Sequence, residues 1–136
     1  MKNTATARYA GHLRTEATHA ASGNVIQTDA PVDNHGRGEA FSPTDLVSTA
    51  LGSCMMTVIG IVAERHKWDL VGSTFAVLKH MSTEPPRRIA QIDVTFTLPA
   101  TLAPQERTLL ERSAHTCPVS LSLHPDVRQN IMFEYK

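Results

Sequence analysis

The stretch from Ser42 to Trp68 constrains the fold more than any other part of the chain, because its residues predict one long helix. Ser42 suits an N-cap, Pro43 suits the first helical position, and Asp45 follows Ser42 at the capping-box spacing. Apolar residues then recur at three- and four-residue steps, which is typical of a buried amphipathic helix. The stripe consists of Leu46, Val47, Ala50, Leu51, Cys54, Met55, Val58, Ile61 and Val62. Any fold for this chain is therefore expected to be built around a long central helix.

The segments on either side of this helix predict strands and two further helices. Short runs bounded by turn residues indicate a meander of three strands before the helix, and longer alternating runs indicate further strands after it. The predicted elements are strands at 6–9, 13–19, 24–28, 72–83, 87–98 and 127–135, and helices at 105–114 and 118–123. This order predicts an α+β fold with antiparallel sheets packed on the central helix. A chain of 136 residues with 41% hydrophobic content is expected to form a single domain, residues 1–136.

Charge and composition argue against several classes of partner. Basic and acidic residues balance at 13 each and no run is strongly basic, so we expect no nucleic-acid partner. Polar residues interrupt the central stripe, so we expect no membrane span. The N-terminus lacks the apolar core of a secretion signal, and a cytoplasmic location is expected. A permanent disulfide is unusual there, so a cysteine pair would more naturally belong to a redox cycle.

The central helix also predicts a partner subunit. Met56, Ile59 and Gly60 lie off the main stripe, so the helix is apolar over more than one face. A helix that is apolar nearly all round is expected to be deeply buried, and one small sheet does not cover it. We therefore expect an obligate homodimer with the Cys54 helix near its two-fold axis.

Cys54 and Cys117 are the only two cysteines, and they carry the best clue to function. Cys54 falls in the middle of the helix, where the helix dipole does little to lower the pKa of a thiol. A reactive thiolate at this position therefore needs a neighbouring cation. An arginine suits this role because its guanidinium stays charged and offers forked donors. Arg65 lies about 16 Å further along the helix axis, which leaves Arg14 and Arg37 as alternatives within the chain.

Cys117 is placed differently, because Pro118 follows it and favours the first position of a helix. A thiol near a helix N-terminus can have a lowered pKa, which suits a resolving cysteine. The two cysteines are 63 positions apart, so local spacing says nothing about their distance. The alternative interpretation is that both are buried and act as small hydrophobic residues.

Two motifs, SPTDLVSTALGSCMM and AHTCPVSLSL, together resemble the OsmC/Ohr family, osmotically inducible protein C and organic hydroperoxide resistance protein. The resemblance covers the order of elements over essentially the whole chain. It implies an OsmC-like fold, an intertwined homodimer, and a thiol-dependent peroxidase that acts in the stress response and reduces organic hydroperoxides. It further implies that Cys54 is the peroxidatic cysteine and Cys117 the resolving one. The implied cycle runs through a Cys54 sulfenic acid and a Cys54–Cys117 disulfide, which an external dithiol reduces.

The chain departs from the best-characterised branches of that family at the start of the helix. Those enzymes carry a glutamate just after the proline, where it pairs with the active-site arginine, and this chain has Thr44 and Asp45. Asp45 either takes over this role or only caps the helix. The family's arginine varies in position between branches, and Arg14 is our first choice and Arg37 our second. The chain therefore resembles a general OsmC-like branch.

We expect neither a metal nor a cofactor. None of the seven histidines forms an HxH or HxxxH pair, and His115 beside Cys117 is far short of a closed metal site. Hydrogen peroxide is a second candidate substrate beside organic hydroperoxides. The alternative function is a non-enzymatic dimeric module that binds an apolar small molecule in the interfacial pocket, with vestigial thiols.

Overall fold

The computed structural model describes residues 2–136, and its elements follow the predicted order. They are β1 (Ala5–Gly11), β2 (Arg14–His19), β3 (Val25–Asp29), a single 3-10 turn (Val32–Asn34), α1 (Pro43–Arg65), β4 (Thr74–Met81), β5 (Ile89–Leu98), α2 (Pro104–Ala114), α3 (Pro118–Ser122) and β6 (Arg128–Tyr135). The α+β class is confirmed. The chain forms two compact units, one ending at Val47 and one running from Ser48 to Lys136. The single domain expected from chain length stays a prediction.

The first unit contains an antiparallel meander in the order β1-β2-β3. Its register places Arg14 of β2 opposite Asp29 of β3. The loop after β3 folds back on the end of that strand, and a Cβ on Gly36 would lie 1.8 Å from the backbone oxygen of Ala30. Only glycine permits so close an approach between two backbone segments. The loop that carries Arg37 is therefore held in a compact conformation.

The second unit contains a sheet in the order β4-β5-β6. Strands β4 and β5 are antiparallel, with Thr74 opposite Thr97, whereas β5 and β6 are parallel, with Gln91 opposite Arg128. The parallel pairing of β5 and β6 corrects the expectation that both sheets are wholly antiparallel. The physical reason is the connection between β5 and β6, which contains α2 and α3 and is long enough for the crossover that a parallel pair requires.

The core of the second unit lies between one face of this sheet and the helices. Alternate residues of β5 point into it, and Phe96 stacks on Phe133 at 5.2 Å and contacts Phe75 at 5.9 Å between ring centroids. The fully buried helical residues of the core are Leu51, Met55, Ile59, Leu110 and Ala114. This packing fixes the part of α1 that carries Cys54.

The buried face of α1 differs from the predicted stripe. The buried residues are Ser48, Leu51, Gly52, Met55, Ile59 and Ala63, whereas Val47 and Ile61 are 39% and 46% exposed. Because the helix is apolar nearly all round, hydrophobic periodicity does not identify the face that meets the sheet. The contact between Gly52 and Phe75 marks the face of α1 that meets the sheet, since a Cβ on Gly52 would lie 2.6 Å from the ring of Phe75.

Helix α1 is the one helix within residues 2–136 whose length and composition would suffice to cross a membrane. Its most apolar 18-residue window has a mean hydropathy of 2.0, and 33% of that window is buried inside the structure. The core helix of a soluble protein meets the same criterion, so this finding weighs little. The expectation that no membrane is a partner stays a prediction.

Candidate active site

The two cysteines meet in the second unit. Cys54 lies in the middle of α1 and is half-buried, whereas Cys117 is fully buried at the N-cap of α3. The thiol of Cys117 lies close enough to that of Cys54 for Cys54 to raise its pKa. The fold therefore brings together two sulfurs that are 63 positions apart in the sequence. Cys54 is the more accessible sulfur of the pair, and Cys117 lies behind it.

The environment of Cys117 raises the pKa of its thiol, which corrects the expectation of a lowered value. Burial is the largest cause, because it disfavours the charged thiolate. The backbone N–H of Ser120 donates to the sulfur at 3.2 Å and acts in the opposite direction, but it does not outweigh burial. Helix α3 has only five residues, so its dipole does little to stabilise a thiolate at Cys117. The contact with Cys54 raises the pKa of Cys117 further.

This arrangement favours a pair in which Cys117 keeps its proton. A negative charge on Cys54 stabilises the protonated form of Cys117, because the two sulfurs are in contact and two thiolates would repel each other. The pair therefore offers one accessible sulfur that can act as a nucleophile and one buried thiol that can donate a hydrogen bond to it. A second sulfur already within contact is also what a thiol needs in order to condense into a disulfide.

The raised pKa predicts slow alkylation of Cys117 at neutral pH. In the folded protein, we expect iodoacetamide to label Cys54 at least about tenfold faster than Cys117, because only a thiolate attacks and Cys117 is buried and protonated. Labelling of Cys117 should increase only at a pH above the ordinary pKa of a cysteine thiol, because the pKa of Cys117 is raised. Peptide mass spectrometry measures both rates, and urea-unfolded protein, in which both sites should react alike, is the control. Equal labelling of the two sites in the folded protein at neutral pH would contradict the account.

Arg14 is held by a carboxylate that the sequence did not single out. Its Nε and Nη2 donate to Oδ1 and Oδ2 of Asp29 at 2.7 and 2.8 Å, and the backbone N–H of Glu39 donates to the same carboxylate at 3.1 Å. The side chain of Asp29 is fully buried. The hydrogen bonds from Arg14 are the largest cause that lowers the pKa of Asp29, and the charge of Arg37 adds a smaller effect. Arg14 is thus fixed as a charged, oriented group.

Asp45 forms the capping box that its spacing predicts. Its Oδ2 accepts from the backbone N–H of Ser42 at 3.0 Å, and the Ser42 hydroxyl accepts from the backbone N–H of Asp45 at 3.0 Å. The bidentate partner of Arg14 is Asp29, and a role of Asp45 toward an arginine, beside its capping role, stays a prediction. Arg14 and Arg37 belong to the first unit and Cys54 to the second. A guanidinium of either residue beside Cys54 stays a prediction.

Residues 2–136 contain no cluster of three or more His, Cys, Asp or Glu side chains that could hold a metal ion. The candidate site of the second unit is therefore the thiol pair of Cys54 and Cys117.

The long cysteine-bearing helix, the two three-stranded sheets and the paired thiols define an α+β protein with a two-cysteine site. The sequence profile of the OsmC-like protein family matches residues 36–131. The chain belongs to this family. No curated protein matches the chain at a significant level.

Solved structures agree with this assignment. The chain is 44% identical to a candidate osmotic stress induced and detoxification response protein from Psychrobacter arcticus 273-4, with a TM-score of 0.94, over 98% of this chain and 96% of the other. It shares the fold of an organic hydroperoxide resistance protein OsmC from Legionella pneumophila, with a TM-score of 0.75 at 19% identity over 97% of each chain. It also shares the fold of an organic hydroperoxide resistance protein from Elizabethkingia anophelis, with a TM-score of 0.77 at 14% identity over 100% and 99% of the two chains.

Proposed function

We propose that the protein is a thiol-dependent peroxidase that reduces organic hydroperoxides, with hydrogen peroxide as a second candidate substrate. The observation that carries the proposal is the proximity of the two thiols of Cys54 and Cys117. Membership of the OsmC-like family supports it. The Legionella and Elizabethkingia proteins also support it, because they are named organic hydroperoxide resistance proteins and have the same fold. The name of the Psychrobacter protein, which includes osmotic stress, favours a role in the stress response.

In the proposed first step, the Cys54 thiolate attacks the terminal oxygen of the hydroperoxide. The O–O bond breaks, the alkoxide takes up a proton and leaves as an alcohol, and Cys54 becomes a sulfenic acid. The sulfur loses two electrons and the peroxide gains them. Arg14 is our first choice, and Arg37 our second, for the cation that favours the thiolate and the developing alkoxide. Asp29 would then orient Arg14, because it already holds that guanidinium on one edge.

In the proposed second step, the sulfur of Cys117 attacks the sulfenic sulfur of Cys54. An S–S bond forms, the S–O bond breaks, and water leaves with the proton of Cys117. The proximity of the two sulfurs favours this step over further oxidation of Cys54. An external dithiol then reduces the disulfide and becomes oxidised itself, which restores both thiols. The cycle needs neither a metal nor an organic cofactor.

Peroxide consumption in the presence of a dithiol tests the proposal. The reduced protein should consume cumene hydroperoxide or tert-butyl hydroperoxide with dithiothreitol or dihydrolipoamide as reductant, at a rate proportional to protein concentration. The Cys117→Ser variant, which keeps the nucleophile and loses the disulfide, is the matched control. Consumption no faster than with dithiol alone would reject the enzyme and favour the alternative, a dimeric module that binds an apolar small molecule.

We also propose that the protein acts as a homodimer in which two copies of α1 approach each other. One exposed side of α1 carries small residues at helical spacing, namely Ala50, Ser53, Thr57 and Gly60. A Cβ on Gly60 would meet nothing within 4 Å in the single chain. Small residues let two helices approach closely, and the remaining apolar surface of α1 needs such a cover.

Gly60→Leu tests this arrangement, because the substitution is harmless in one chain and obstructive between two. Within the chain it should raise helix propensity by up to about 1 kcal/mol. In the dimer it should weaken association by at least about tenfold, since the added side chain blocks close packing. Analytical ultracentrifugation measures wild type and variant. The control is Ser53→Ala, which keeps a small residue on the same surface of α1 and should leave association unchanged. An unchanged dimer in Gly60→Leu, or a folded wild-type monomer at micromolar concentration, would contradict the proposal.

A further inference from the structure

Helix α3, which carries Cys117 at its N-cap, buries little apolar surface of its own. It has five residues, none of which is fully buried, and Leu121 is 74% exposed. Val119 and Leu123 are only partly buried where they pack against the core. A helix of little more than one turn is marginal without outside support, so the position of Cys117 depends on further contacts.

A glutamine of β6 supplies such contacts. Oε1 of Gln129 accepts from the hydroxyl of Ser120 at 2.6 Å, and Nε2 of Gln129 donates to the backbone carbonyl of Ser120 at 3.1 Å. Gln129 lies opposite the fully buried Ile92 of β5, so its side chain leaves the sheet on the core face. The amide of Gln129 therefore connects the sheet to α3 through two hydrogen bonds to a single residue.

Ser120 in turn contacts the sulfur of Cys117. Its backbone N–H donates to Sγ of Cys117 at 3.2 Å. Hydrogen bonds from the backbone N–H groups of Ser120 and Val119 both lower the pKa of this thiol, against the larger effect of burial. The amide of Gln129, the peptide group of Ser120 and the sulfur thus form one connected series of hydrogen bonds that runs from the sheet to the thiol.

We propose that Gln129 is a positioning residue for disulfide formation, and that it acts through Ser120 to hold the sulfur of Cys117 toward Cys54. Its role in a peroxidase cycle rests on the proposed function. In that cycle the Cys54 sulfenic acid has two fates. Attack by the sulfur of Cys117 forms the S–S bond and releases water, whereas a second hydroperoxide oxidises Cys54 to the sulfinic acid and leaves as an alcohol. Gln129 favours the first fate because it keeps α3 from fraying.

Three variants separate this role from a general effect on the sheet. Gln129→Met removes both hydrogen bonds to Ser120 and keeps the length of the side chain. Ser120→Ala removes one of them, since the backbone carbonyl remains, and should have a smaller effect. Gln91→Met is the matched control, because Gln91 donates to Asp93 at 2.6 Å on the face of β5 that points away from the core.

Rapid-quench mass spectrometry after addition of tert-butyl hydroperoxide, without a reductant, resolves the two steps. Gln129→Met should lose the free Cys54 thiol as fast as wild type, but should form the disulfide about tenfold more slowly and accumulate sulfinic acid at Cys54. The rate of disulfide formation should also reach its maximum at a higher pH than in wild type, because Cys117 loses an N–H donor that favours its thiolate. Gln91→Met should match wild type in both respects.

Two measurements test the positioning role without peroxide. Hydrogen exchange of the reduced protein should be about tenfold faster over residues 117–123 in Gln129→Met than in wild type, and unchanged in Gln91→Met. Diamide, an azo compound, accepts two electrons and two protons from the thiol pair as the disulfide forms. Formation of the Cys54–Cys117 disulfide with diamide should be about tenfold slower in Gln129→Met.

Three outcomes would overturn the inference. These are disulfide formation in Gln129→Met at the wild-type rate, equal slowing in Gln91→Met, and slowing of Cys54 oxidation in step with disulfide formation. Circular dichroism shows whether each variant is folded, and the same outcomes in Ser120→Ala decide the question if Gln129→Met does not fold. A protein that shows the expected differences with diamide but consumes no peroxide fails the proposed function alone.

Discussion

Replacing Cys54 by serine is expected to lower the rate of peroxide consumption by about a thousandfold or more, to the level of the dithiol alone. The reason is chemical, since a hydroxyl at this position is not ionised at neutral pH and attacks peroxide oxygen far more slowly than a thiolate does. The substitution is nearly isosteric, and Cys54 is only half-buried, so the fold should not change. Steady-state consumption of tert-butyl hydroperoxide with dihydrolipoamide measures the effect.

Replacing Cys117 by serine should have a different signature. Cys54 remains, so the first turnover is expected to proceed, and only the disulfide step is lost. Without a resolving thiol the sulfenic acid persists, and excess peroxide should convert it to the sulfinic acid, so that activity declines with each turnover. Wild type and Cys54→Ser consuming peroxide at the same rate would reject Cys54 as the nucleophile.

Replacing Asp29 by asparagine is expected to have the largest effect on stability. The buried carboxylate accepts both hydrogen bonds of Arg14 and the N–H of Glu39, whereas an asparagine has one acceptor oxygen and turns a second donor toward the guanidinium. A buried charge that loses its partner is costly. We expect the Tm at neutral pH to fall by about 5–10 °C. Asp126→Asn, at a carboxylate that is 66% exposed, is the control and should change little.

The pH dependence of this effect has a definite sign. Arg14 lowers the pKa of Asp29 in the folded protein, so the stabilisation is present above the pKa of the unfolded chain and is lost as pH falls through the folded one. The difference in Tm between wild type and Asp29→Asn should therefore be full at neutral pH and should shrink below about pH 4. A difference that is independent of pH would show that the carboxylate charge is not what stabilises the loop. If Arg14 serves Cys54, peroxide consumption should fall in the same variant.

The order of elements was predictable because strand alternation, turn residues and the helix cap are local signals. The box formed by Ser42 and Asp45 shows this, since its spacing alone predicted contacts that the structure contains. The buried face of α1 was not predictable in the same way. A helix that is apolar nearly all round carries no periodic signal, so the contact of Gly52 with Phe75 could not be inferred.

The candidate site was predictable only in part, because its contacts join distant positions. Resemblance named Cys54 and Cys117, whereas their contact depends on the packing of α1 against the connection from α2 to α3. Asp29 was missed because its pairing with Arg14 depends on the register between β2 and β3. The pKa of Cys117 was expected in the wrong direction because burial, which no local motif reveals, outweighs the N-cap hydrogen bond.

The central claim is that Cys54 is oxidised by a hydroperoxide and is then resolved by Cys117. Mass spectrometry of the reduced protein, treated with one equivalent of tert-butyl hydroperoxide and no reductant, tests this most directly. The account predicts loss of two hydrogens and one peptide pair joined by a disulfide between Cys54 and Cys117, which a dithiol then reverses. Two free thiols after treatment, or Cys54 oxidised to sulfinic acid with Cys117 still free, would contradict it.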